Sequence, residues 1–186
     1  MTHDKARPQM LQLRLSVNDI MPEIWRTFQV SSDATLAKLH TILQVLMGWK
    51  DKHLYVFAID GKRYSPPDED ERGRNNAIQM KLSNVFKGDS SVIGYEYDFG
   101  DNWTIKLCNE LADHPFPQSD ATVCIAGSRH GPVEDSGGAR GYSEMTRIYC
   151  NPHHKRHKEV LAFLGPTFDA EAFDQEQINK MLKAIG

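Results

Sequence analysis

Two groups of residues in this chain have the types and spacing that do chemistry. The first is acidic: Glu96, Asp98 and Asp101 lie close together, and Glu134 and Asp135 follow further along. Carboxylates held near one another raise each other's pKa and serve as acid, base or cation ligands. The competing account is a solvated strand face and a turn. Aspartate bonds readily to the backbone of its own turn, and for Asp98 and Asp101 that account is preferred. The second group is the run His153-His154-Lys155-Arg156-His157-Lys158. On a helix, His153 and His157 stand one turn apart on the face of Val160, Leu161 and Leu164, as two metal ligands would. A divalent metal is the cofactor such a pair would take, with Glu134 or Asp135 completing the set. With the remaining ligands unspecified, two histidines packed at the core margin is the preferred reading. Lys155 and Arg156 would fall in the first turns of that helix, where the dipole disfavours cations. Cations beside free N–H groups make an anion site, open to phosphate, nucleic acid or the 134–135 loop itself.

The elements that must position these groups begin with a hairpin. Residues 93–107 fit one register, with Phe99-Gly100-Asp101 as a three-residue loop. Tyr97 then faces Trp103, Tyr95 faces Ile105 and Ile93 faces Leu107, while Glu96 faces Thr104 on the back. A one-residue slip would mix the faces. Alternation at Leu11, Leu13, Leu15 and Val17 predicts a strand over 10–17, and a second follows over 24–30. Arg26 falls on the apolar face of the second strand, and its expected place is the sheet margin with the head in water. Leu36, Leu39, Ile42, Leu43 and Leu46 predict a helix over 34–47, capped from Ser31-Ser32-Asp33 and closed by Gly48. His40 is expected at the margin of that stripe. His53, Tyr55, Phe57 and Ile59 alternate with Leu54, Val56 and Ala58, which marks a central strand. Asp60-Gly61 is a hairpin turn.

Residues 65–76 and 113–120 read as loops. The stretch 127–141 carries five glycines around Glu134-Asp135, too many for a casual connection, and is a functional-loop candidate. Helices are predicted over 142–149, over 152–164 with Asn151 as N-cap, and from Asp174 to the end.

Composition narrows the class. The chain has 186 residues, 40% of them hydrophobic, with a formal charge of -3 and a pI near 6.2. That balance disfavours indiscriminate nucleic-acid binding, though a local basic patch could still take nucleic acid. Cys108, Cys124 and Cys150 have no metal-like spacing and read as reduced thiols. Met1 to Pro8 is polar, no apolar run approaches the roughly 20 residues of a membrane span, and the expected setting is cytoplasmic. Residues 1–9 read as a flexible tail before one domain over 10–186, with 141–186 as its helical C-terminal part.

Several motifs together resemble the plasmid pRiA4b ORF-3-like family. They are Ile24-Trp25-Arg26, Leu39-His40, Gly48-Trp49 with His53-Leu54, and Tyr97-Asp98-Phe99-Gly100-Asp101-x-Trp103. Pro132-x-Glu134-Asp135-x-Gly137-Gly138, the helix with His154 and His157, and Phe168-Asp169-x-Glu171-x-Phe173-Asp174 complete the likeness. The resemblance implies an α+β fold of the roll type: a mostly antiparallel sheet with amphipathic helices packed on it and a C-terminal helical subdomain. It implies little about activity. Some members resemble insertion-element passengers and carry a resolvase label. Many carry a histidine where Ile105 stands here, and cysteines at the positions of Gly131 and Ser136.

No nucleophile with clustered arginines, no phosphate loop and no His-Glu-x-x-His motif is present. The expected function is a non-enzymatic binding module for a protein or an anionic ligand. Its surface would be formed by Asp98, Asp101 and Trp103 of the hairpin, Glu134 and Asp135, and Lys155 and Arg156. The alternatives are a hydrolase using the acidic cluster with His153 and His157, and an accessory DNA-binding protein of a mobile element.

Overall fold

The computed structural model describes residues 9–67, 75–87, 92–110 and 121–186. The expectations for the tail over 1–8, most of the 65–76 loop and the 113–120 connector lie outside the described residues. The rest is an α+β fold built on one eight-stranded sheet.

The strands are β1 (Met10–Val17), β2 (Trp25–Ser31), β3 (Tyr55–Ile59), β4 (Lys62–Ser65), β5 (Asn75–Asn76), β6 (Val92–Tyr97), β7 (Trp103–Asn109) and β8 (Val123–Ser128). Their order is β5-β4-β3-β6-β7-β1-β2-β8, antiparallel throughout except for the short β4–β5 pair. The helices are α1 (Leu36–Met47), α2 (Leu82–Val85), α3 (Gly138–Tyr149), α4 (His157–Leu164) and α5 (Gln175–Ile185).

Register follows the apolar alternation. Tyr97 pairs with Trp103, Tyr95 with Ile105, Ile93 with Leu107 and Glu96 with Thr104, because only this pairing sends Ile93, Tyr95, Tyr97, Trp103, Ile105 and Leu107 to one face. The same face continues through Leu15, Leu13, Phe28, Phe57 and Tyr55, all buried. α1 lays Leu36, Leu39, Ile42, Leu43 and Leu46 over it. Each such buried side chain contributes roughly 1.5–3 kcal/mol relative to exposure. The opposite face carries polar pairs: Arg14 and Ser16 bond to Glu23, and Arg63 bonds to Glu96.

Several local expectations need correction. α1 is capped by Thr35, whose hydroxyl accepts from the Lys38 N–H, rather than by the 31–33 run. α3 starts at Gly138, earlier than 142. α4 starts at His157, not 152. Asn151 Oδ1 accepts the His153 N–H, and the His154 and His157 N–H groups reach back only three residues. Asparagine's own backbone bond here competes successfully with helix formation.

Arg26 is the larger surprise. It is only 2% exposed. Its guanidinium donates to the carbonyls of Trp25, Ser128 and Arg129 and lies under the Phe173 ring. Burial lowers its pKa to about 10. His40 is also buried rather than marginal. Its Nδ1 meets the Tyr95 hydroxyl and its Nε2 meets Asp51, both at 2.8 Å, and its ring stacks on Tyr55.

α5 meets the outer edge of the sheet at β8. Asn179 Oδ1 accepts the Cys124 N–H, and the amides of Asn179 and Gln175 donate to the Cys124 carbonyl. No helix among the described residues is long and apolar enough to cross a membrane.

Candidate metal centre

Two loops and the approach to β3 meet at one point. The first is the hairpin loop between β6 and β7. Asp98 takes a left-handed backbone (φ +57), a conformation aspartate tolerates better than most residues. Its Oδ1 accepts the N–H groups of Gly100 and Asp101. That is turn chemistry, as the sequence suggested, and it occupies one carboxylate oxygen. Oδ2 points to His53 Nε2 at 3.5 Å.

The second is the glycine-rich loop. Asp135, also left-handed (φ +61), brings Oδ1 to within 3.3 Å of the same nitrogen. The loop is held against the hairpin and the end of α1 by close contacts that only glycine allows. A side chain at Gly138 would fall 2.2 Å from the Asp101 carbonyl oxygen, and one at Gly131 would fall 2.0 Å from the Met47 carbonyl oxygen. Asp101 Oδ2 accepts the Gly137 N–H, so this carboxylate ties the two loops rather than capping its own turn. Glu134 accepts from the Tyr97 hydroxyl at 2.6 Å and from the Lys50 N–H at 3.2 Å. Burial, and then the Glu134 carboxylate, push the Tyr97 pKa well up, so its proton stays in that bond. Trp49 stacks on Tyr97 and donates its indole N–H to the Pro132 carbonyl.

The third component is His53, whose ring edge rests against Tyr97. Its Nε2 atom is buried and makes no hydrogen bond, although two carboxylates face it. His53, Asp98 and Asp135 offer three ligand atoms that all lie within 4.8 Å of one another. A tetrahedral ion with bonds of about 2.0–2.1 Å keeps its ligand atoms about 3.3 Å apart. Both histidine edges already have that length. Only the carboxylate–carboxylate edge is free to be longer, and Asp135, with 55% of its side chain exposed, has room to adjust. Two carboxylates and one imidazole match the charge and donor preference of a divalent ion.

The other sequence-derived candidates separate from this point. Glu96 sits on the polar face with Arg63. Trp103 is buried, between Trp49 and Tyr142, so it supports the hairpin from below and offers no binding surface. His153 is exposed and lies before α4, so the one-turn spacing to His157 never forms. His157 meets the Ile148 carbonyl at the end of α3 through Nδ1. Neither histidine joins a metal-ligand cluster among the described residues. Lys155 is exposed, and Arg156 pairs with Glu144 and Glu159. Thus Asp98, Asp101, Glu134 and Asp135 come together, while Lys155, Arg156, His153 and His157 lie apart with α3 and α4. His53 was missed as a ligand. The available signal was its place in a motif with Trp49, which in turn stacks on the hairpin.

Comparison with known proteins agrees with this architecture. An uncharacterised protein, y4hQ, of Sinorhizobium fredii is 32% identical over 174 residues, covering 92% of this chain and 89% of its own. A crystal structure of a protein of unknown function, MM3350, from Methanosarcina mazei Go1 superposes with a TM-score of 0.79 at 31% identity, covering 90% of this chain and 96% of its own. Neither description names a resolvase or a mobile element. Residues 9–177 match the model of the plasmid pRiA4b ORF-3-like proteins, and the chain is a member of that family.

Proposed function

We propose that this protein is a binding module that holds a divalent cation on His53, Asp98 and Asp135 and uses it to capture an anionic ligand. The carrying observation is the His53 Nε2 atom: buried, without a hydrogen bond, and directed at two carboxylates from two different loops. Three protein ligands leave coordination positions open, and an anion would complete them. Binding fits better than hydrolysis. A hydrolase would need a free general base beside the ion, and the other carboxylates of these two loops are engaged, Glu134 through both oxygens and Asp101 through Oδ2.

The test is calorimetric titration of untagged, chelator-stripped protein with zinc, manganese and magnesium. One ion should bind per chain. His53→Ala and Asp135→Asn should each weaken binding at least about tenfold, and His153→Ala should leave it unchanged. Absence of stoichiometric binding by any of the three ions, or equal binding by His53→Ala, would refute the assignment.

A further inference from the structure

We infer that a second site, independent of the cation centre, binds phosphate in the groove along α3. The groove encloses about 380 Å³ and is lined by Arg140, Glu144, Arg147, Ile148, Asn151 and His154. Arg140, Glu144 and Arg147 recur at helical spacing on one face of α3, which sets the two guanidinium groups' backbones roughly 10 Å apart along the axis. Ile148 is buried and forms the floor.

The hydrogen-bonding capacity of this groove is one-sided. Its single acid, Glu144, already accepts from Arg156, whose other nitrogens hold Glu159. Arg140 and Arg147 have neither a hydrogen bond nor an ion pair among the described residues. His154 Nδ1 accepts the Arg156 N–H, so its proton sits on Nε2 and that N–H is unused. Asn151 spends its oxygen on the His153 N–H and keeps its NH₂ group. Two guanidinium forks, an imidazole N–H and a carboxamide NH₂ therefore surround a concave space, and of the acceptors on the lining side chains Glu144 Oε1, His154 Nδ1 and Asn151 Oδ1 are engaged, which leaves donors in excess. A carboxylate offers two oxygens to such a set. A phosphate offers three or four, and planar guanidinium groups match it in bidentate fashion. The basic run His153 to Lys158 thus contributes through His154, while Arg156 keeps Glu144 occupied instead of meeting the anion itself.

Free inorganic phosphate and the phosphate of a small organic ester share this chemistry. The experiment titrates isotopically labelled full-length protein, kept in chelator so that the cation centre is silent, with sodium phosphate and separately with glycerol phosphate. Ionic strength is held constant with chloride, and backbone and arginine side-chain resonances are followed by NMR. The expected result is saturable shifts confined to residues 140–154, with affinity lowered about tenfold or more in Arg147→Ala and in Arg140→Ala. Both substitutions are at exposed positions, so the spectra of the variants should otherwise match the parent. Saturation by inorganic phosphate alone identifies a free-anion site, and tighter saturation by the ester identifies a phosphorylated small molecule. Shifts that do not saturate, that fall elsewhere, or that persist unchanged in both variants overturn the proposal. With the chelator present, none of these outcomes depends on the reading of His53, Asp98 and Asp135.

Discussion

Three backbone carbonyls, from Trp25, Ser128 and Arg129, stand where a carboxylate would ordinarily meet the buried Arg26 guanidinium. The planar fork makes this feasible, because its nitrogens diverge to reach several acceptors at once. Lysine carries the same charge as a single point and cannot span them. Arg26→Lys should therefore cost about 2 kcal/mol, with one or more buried carbonyls left unpaired. Urea denaturation measures this directly. A loss below about 0.5 kcal/mol would show that solvent reaches those carbonyls. The sequence marked Arg26 as anomalous, since it interrupts an apolar alternation. It could not reveal the partners, because two of them come from the end of β8 and the residue after it. His53 was hidden for the same reason: its side chain alternates like its neighbours, and the carboxylates that face it come from two distant loops.

At the scale of elements, legibility followed the range of the forces involved. The β6–β7 hairpin could be read residue by residue, because its register is fixed by its own alternation and its turn. The stop of α4 at Gly165 and the Asp174 cap of α5 were equally local. The start of α4 was misread, because an asparagine turn and a proline can open either a helix or a string of short turns. The glycine-rich loop was legible as unusual but not as to why. Its glycines admit a neighbouring backbone: at Gly138 the Asp101 carbonyl occupies the space of a side chain, and φ is +68. Gly138→Ala should force the two loops apart. The expected result is a stability loss of about 1–3 kcal/mol in thermal denaturation, with weaker cation binding as Asp135 moves away from His53. Unchanged stability and unchanged metal affinity together would mean that the loop contact is dispensable.

For the whole molecule, pH reports on a network beneath the sheet. Burial lowers the His40 pKa from 6.5, against a smaller opposing effect of Asp51. The unfolded chain therefore takes up this proton more readily than the native state. Stability from this group is fully present above about pH 6.5 and falls as the pH drops through that value towards the lower native pKa. Denaturation midpoints should decline between pH 7 and 5. The slope should be shallower in His40→Gln, which cannot titrate, whatever that variant's stability at pH 7. An identical slope in the variant would assign the decline to other groups.

The contact between α5 and β8 has a consequence for how copies of the protein behave in concentrated solution. An outermost strand ordinarily offers a row of bare amide and carbonyl groups on which another chain can extend the sheet. Here the carboxamides of Asn179 and Gln175 occupy the Cys124 position of that row, as a ninth strand would. A second molecule adding a strand at this margin would have to displace the bonds made at Cys124, so the terminal helix raises the cost of extending the sheet there.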